Sequence, residues 1–160
     1  NRGNSYAGLN QYKRAIEDYD EAVKLNTEYA EAYASRGMVY SLIAKYNKST
    51  RDLKKGGVLF LKSGRTGDAA KSFNLCFDLR DKIEDDDVIY CGLAAYLLNL
   101  DEEVIIEIRK MQAEGRVLER IVALTLRKLK GEDVSDEIEE MEKMDGREDA
   151  NVLLDLLKIF

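Results

Sequence analysis

The chain has 160 residues, enough for one compact domain or one short repeat array. Apolar residues make up 45% and charged residues 35%, with a net charge of −6, so a sizeable core can form beneath a heavily charged surface. Proline and histidine are absent, which argues against a loop-rich β-sandwich and removes every His-based triad, general base or metal ligand.

Apolar residues recur with helical spacing along nearly the whole chain. The spacing predicts helices over 1–9, 12–25, 30–44, 47–62, 66–82, 85–98, 101–113, 115–130, 134–143 and 147–159. Turn signals separate them at Gly8 to Asn10, Asn26-Thr27, Gly64 to Gly67, Gly131 and Gly146. Thr66 or Asp68 is expected to cap its helix, and the acidic runs Asp85-Asp86-Asp87 and Asp101-Glu102-Glu103 suit the positive end of a helix. The first of these runs lacks the glycine and distal glutamate of a calcium loop, so it reads as a solvated helix start and no metal site is assigned. Cys76 and Cys91 lie among apolar residues and read as small buried hydrophobes, too few for a zinc site or a disulfide framework. Two cysteines without a secretory signal point to a reducing, cytoplasmic setting. The longest apolar stretches, such as Val152 to Leu157, are far too short to span a bilayer. The chain opens on Asn1 rather than Met and reads as a piece cut from a longer protein.

A fixed period underlies these helices. Arg2-Gly3-x-x-Tyr6 returns 34 residues later as Arg36-Gly37-x-x-Tyr40, and Tyr12, Ala15 and Tyr19 are answered at the same step by Tyr46, Ser49 and Leu53. The set Gly3, Tyr6, Tyr12, Ala15, Tyr19 and Ala22, followed by Tyr33, Gly37, Tyr40, Tyr46, Ser49 and Leu53, resembles the tetratricopeptide repeat. Its small residues let two antiparallel helices approach while Tyr and Leu fill the gaps. Two positions depart from the pattern: Thr27 stands where the closing proline is usual, and Arg2 or Arg36 where a leucine usually precedes the glycine. A third copy reads Gly57, Phe60, Gly64, Ala69, Phe73 and Cys76, and a worn fourth reads Val88, Gly92, Ala95, Val104, Ile108 and Met111. The resemblance implies an all-α fold, an alpha-alpha superhelix (right-handed solenoid) of stacked antiparallel helix pairs. It divides the chain into about three repeats over 1–83 and degenerate helical hairpins continuing the array over 84–160.

The second and third copies are only about 20 residues apart, well short of the 34-residue period. Either one helix, roughly 48–62, serves as the second helix of one repeat and the first of the next, or about 14 residues are missing between Lys55 and Gly56. Two adjacent glycines inside a helix cost up to roughly 2 kcal/mol of propensity against alanine, so the missing stretch is the expectation carried forward.

In arrays of this family the first helix of each repeat lines a concave groove that holds a partner. The resemblance places Asn4, with Asn1 and Gly8, on that face in the first repeat, and Glu31, Ala34, Ser35, Met38, Ser41 and Leu42 in the second. In the third it places Val58, Leu61 and Lys62 there. Asn offers donor and acceptor to an extended backbone, and Met38 and Leu42 offer adaptable apolar contact. A clamp for a chaperone C-terminal carboxylate fits poorly, because Ser35 replaces an asparagine and Glu31 takes a place a base could hold. The basic stretch Lys48, Arg51, Lys54, Lys55, Lys62 and Arg65 has no aromatic residues interleaved for base stacking in a protein of pI near 4.9, and reads as solvated helix faces. Residues 1–80 carry a net +5 and 81–160 a net −11, an asymmetry that can orient partners or stack copies head to tail. The last segment, 151–160, is apolar nearly all round, so either earlier helices bury it, or it meets residues beyond the segment, or it docks on a second copy, with further repeats or a dimer as the expectation.

No Gly-rich phosphate loop has the Walker spacing, and no nucleophile has a plausible base beside it, so no catalytic residue and no cofactor is assigned. The expected role is a protein–protein interaction scaffold that binds a peptide or helix of a partner in the groove. The alternative is a structural or oligomerisation array supporting a larger chain or a homodimer. Nucleic acid and membrane are not expected partners.

Overall fold

The computed structural model describes residues 11–99, 106, 116–144 and 148–159. The helices expected over 1–9 and 101–113 lie outside these residues, as do Asn4 and, apart from residue 106, the distal half of the fourth copy. Every regular element among the described residues is an α-helix: α1 (Tyr12–Leu25), α2 (Ala30–Leu42), α3 (Tyr46–Lys62), α4 (Thr66–Phe77), α5 (Asp85–Asn99), α6 (Arg116–Leu129), α7 (Ser135–Met144) and α8 (Glu148–Ile159). They fall into two compact units, 1–83 and 84–160.

In the first unit each helix packs antiparallel on the next, because the connecting turns are short and each helix keeps an apolar stripe for its neighbour. Ala15, Tyr19 and Val23 of α1 form one cluster with Ala32 and Val39 of α2, flanked by Tyr12, Ile16, Tyr29 and Tyr33. The turn after α2 closes through Ala44, whose φ of 57° lies in the left-handed region, with the Lys45 amide donating to the Tyr40 carbonyl.

Helix α3 runs without interruption from Tyr46 to Lys62, straight through Lys55-Gly56-Gly57. The expectation of a missing stretch at that point is therefore overturned. The glycines are there because α3 is gripped from two sides. A Cβ on Gly56 would fall 3.0 Å from the Ala34 backbone nitrogen and 3.2 Å from the Ala30 carbonyl oxygen of α2, whereas one on Gly57 would fall 2.6 Å from the Phe73 ring of α4. Gly37 plays the matching part on α2, where a Cβ would sit 2.9 Å from Leu53 Cγ. One helix thus serves as the partner of α2 and of α4 at once. Two side-chain hydrogen bonds tie the three together: the Ser49 hydroxyl donates to the Gly37 carbonyl and the Ser72 hydroxyl to the Leu53 carbonyl, both at 2.7 Å.

The arginine that replaces leucine before Gly37 also has a physical reason. Arg36 is buried between three helices, donating through Nε and a terminal nitrogen to both oxygens of Asp52 on α3 (2.6 and 2.9 Å) and to Asp20 of α1 (2.6 Å). Its guanidinium also stands 5.4 Å from the Tyr33 ring centroid. Burial alone would lower the Arg36 pKa, but the hydrogen bonds and charge of Asp52, and then of Asp20, outweigh it and raise it. Removing one side of such a buried pair costs about 3–5 kcal/mol, because the other charge is left without its partner.

Helix α4 ends at Phe77 rather than running to 82. Successive i,i+3 bonds from Leu79 to Cys76, Arg80 to Phe77 and Lys82 to Leu79 turn the chain tightly, with no glycine or proline to announce it. Neither Thr66 nor Asp68 caps this helix; Thr66 is its first residue, and Asp68 receives the guanidinium of Arg65, which occupies the cap position.

In the second unit α8 packs on α5, α6 and α7, and α5 on α6. Residues Val88 to Leu97 of α5 are all buried. Leu153, Leu154, Leu156 and Leu157 of α8 are buried too, so of the alternatives for this helix burial by earlier helices accounts for its leucines, without further repeats or a second copy, while Ile159 at its end stays exposed. Its apolar surface is matched inside the unit by Ile121, Leu124, Ile138 and Met141, and Lys128 caps its end by donating to the Leu157 carbonyl at 2.7 Å. Cys76 and Cys91 are fully buried in their respective units.

Gly57→Ala should lower stability by about 1–3 kcal/mol, since the Phe73 ring is fully buried and cannot yield. Gly67→Ala, where an added Cβ meets nothing within 4 Å, should be neutral or stabilising by up to about 1 kcal/mol. Urea unfolding of the two variants measures both.

Candidate functional site

Glu31, Ser35, Met38 and Leu42 are spaced four, three and four residues apart on α2, which places them on one face of the helix, with Ser41 at its margin. The opposite face, with Ala32, Arg36, Val39 and Tyr40, is buried against the neighbouring helices. The site is therefore built by default: what α2 does not give to α1 and α3 it presents to solvent.

The polar groups on this face are already engaged. Glu31 forms an ion pair with Arg65, which also donates to Asp68 at 2.9 Å and lies 4.7 Å from the Phe60 ring centroid. The hydrogen bond from Arg65 holds the Glu31 carboxyl below the ordinary glutamate range. Ser35 is half-buried and hydrogen-bonded to the Tyr19 hydroxyl, whose pKa burial pushes upward. The Ser41 hydroxyl donates to the Met38 carbonyl at 2.7 Å. Met38 and Leu42, by contrast, are 47% and 63% exposed. The structure thus brings five of the six expected residues together, and the sixth, Asn4, lies outside the described residues. Of the residues expected to extend the face along α3, Val58 is buried, Leu61 half-buried and Lys62 exposed.

Arg65 was not legible as part of this site from residue type alone. It stands one 34-residue period after Glu31, so a search for opposite charges at that separation would have found the pair. Elsewhere the chemistry is sparse. Among the described residues no three His, Cys, Asp or Glu side chains gather in a metal-binding geometry, and no helix is long and apolar enough to cross a membrane.

Residues 3–42 match the family model for the TPR repeat. This segment belongs to the tetratricopeptide repeat family. No curated protein and no solved structure matches the chain significantly. TPR repeats are non-catalytic scaffolds that generally mediate protein–protein interaction. The matched segment ends at Leu42, the last residue of α2, so the solvent face of α2 lies wholly within the TPR match.

A carboxyl held below its ordinary value in the folded chain adds stability above the unfolded pKa and loses that contribution as pH falls through the folded value. Glu31 is nearly half exposed, so its share is under about 1 kcal/mol. In an NMR titration Glu31 should protonate below the ordinary glutamate range, and Arg65→Gln should raise its pKa.

Proposed function

We propose that the solvent face of α2 docks an apolar segment of a partner protein, with Met38 and Leu42 as the contact surface. The observation that carries this reading is the contrast on one helix face: the two apolar side chains are exposed, while every described polar side chain beside them already has a partner. Satisfied polar groups contribute little to pulling a ligand out of water, whereas the exposed thioether and isobutyl groups gain by burial at roughly 25 cal/mol per Å². A methionine beside a leucine also adapts to more than one apolar shape. The face is four residues long between its two anchors, so it suits the i and i+4 side chains of a docking helix or alternate residues of an extended strand.

The role of the polar residues is correspondingly framing rather than gripping. Glu31 and Arg65 form a charged border at one end of the face, and Ser35 rigidifies its floor through Tyr19. Because Val58 is buried, the contact surface ends with α2 and does not continue along α3. This supports a short docking segment over a long one that would thread a multi-repeat groove.

Met38→Ser with Leu42→Ser should abolish capture of partner proteins by the full chain while leaving its thermal unfolding within a few degrees of the parent, as expected for exposed positions. Replacing Ser41 by Ala should leave capture unchanged. Unchanged capture by the double variant would remove this face from the account, and the oligomerisation role would then stand in its place.

A further inference from the structure

Several acidic side chains are held by cations of the same chain. Asp52 and Asp20 are taken by Arg36, Glu31 and Asp68 by Arg65, Glu132 and Glu137 by Arg127, and Glu142 by Lys158. On α7, however, Asp136, Glu139 and Glu140 are exposed on one helix face. Asp136 makes no ion pair among the described residues, Glu139 is felt by Lys158 only through space, and Glu140 reaches only to Arg120 at 4.0 Å.

Helix α3 presents the reverse. Lys48, Arg51 and Lys55 follow one another at three and four residues, so they share the face turned away from the buried side of the helix. The single acid within α3 is Asp52, which is buried and consumed by the two bonds from Arg36; Arg51 reaches it only at 3.8 Å. Lys48 is steadied over the Tyr40 ring at 5.6 Å. At its start the face opens into a recess of about 270 Å³ lined by Ala44, Lys45, Tyr46, Asn47, Lys48 and Lys82. Lys45, Lys48 and Lys82 thus line one recess, and Arg51 and Lys55 continue the basic face from it.

We infer that the basic face of α3 is a docking surface for the acidic face of α7 on a second copy of this chain. The two faces are opposite in charge, each is carried on a single helix, and each keeps exposed charges after the internal ion pairs have formed. The recess beside Lys45 and Lys82 accepts a carboxylate of the approaching helix. Because unlike surfaces meet, the contact is heterologous, and its strength rests on charge and falls with ionic strength. It uses neither Met38 nor Leu42, so it stands or falls apart from the reading of the α2 face.

The test is sedimentation velocity of the full chain at low salt, about 20 mM, and high salt, about 500 mM, where the screening length shrinks several-fold. Self-association at low salt that is lost at high salt is expected. A chain with Lys48→Glu, Arg51→Glu and Lys55→Glu should be monomeric, as should one with Asp136→Lys, Glu139→Lys and Glu140→Lys. Mixing the two should restore association, since each then supplies the charge that the other lost. One chain carrying all six changes should associate with itself again. A parent chain that stays monomeric at low salt would overturn the inference, and so would association by either triple variant alone or no recovery in the mixture and in the six-fold variant. Retention of a single-stranded oligonucleotide by a monomeric parent chain would assign the basic face to nucleic acid instead and would equally overturn it.

Discussion

Helix α3 is packed from two sides, and the first unit takes its form from that constraint. A helix can be approached closely by two others only where its side chains vanish on both flanks, and Gly56 and Gly57 supply adjacent gaps about 100° apart around the helix. One gap receives the backbone of α2 at Ala30 and Ala34, the other the ring of Phe73. The propensity lost by placing two glycines in mid-helix, up to roughly 2 kcal/mol, is offset by the contacts they permit. With α3 held in this way, Asp52 is delivered to Arg36, and Arg36 in turn reaches Asp20 on α1. Three helices are then joined by one guanidinium whose planar fork suits bidentate contact with a carboxylate.

The same constraint shapes the functional surface. A helix that serves as both the second member of one pair and the first member of the next gives its apolar residues to both neighbours, and Val58 is buried accordingly while Lys48 and Arg51 stay exposed. On the outward stripe of α2, satisfied polar groups stand beside two exposed apolar ones. The distribution of charge follows a related logic. Carboxylates next to an arginine on a neighbouring element are absorbed into the fold, and those on the outer face of α7 stay exposed.

Much of this was legible in the sequence. The 34-residue echo between Arg2-Gly3 and Arg36-Gly37 identified the repeat and placed α1 and α2, and helical spacing alone put Met38 and Leu42 on the outward face. Three features resisted. Counting periods assigns one role to each helix, so the double role of α3 read as a deletion, and the glycines read as a break, because propensity is a local quantity and their reason lies in α2 and α4. Leu153 to Leu157 read as a surface awaiting a partner because the matching residues, such as Ile121 and Ile138, come from other helices of the same unit. Glu31 and Ser35 read as groove residues, whereas Arg65 and Tyr19 engage them from neighbouring helices, a pairing that residue type alone does not announce. The Arg36 departure was visible, and so was a clue to its meaning: Asp18 precedes Asp52 by the same 34 residues that separate Arg2 from Arg36.

The shared helix is the claim on which the packing and the extent of the binding face both rest. Native-state hydrogen exchange at the amides of Gly56, Gly57 and Val58 tests it most directly, because each donates within α3 if the helix is continuous. Protection at these three amides equal to that of Leu53 and Phe60 is the predicted result. Fast exchange at Gly56 and Gly57 between protected flanks would mean two helices joined by a break, and would contradict the account.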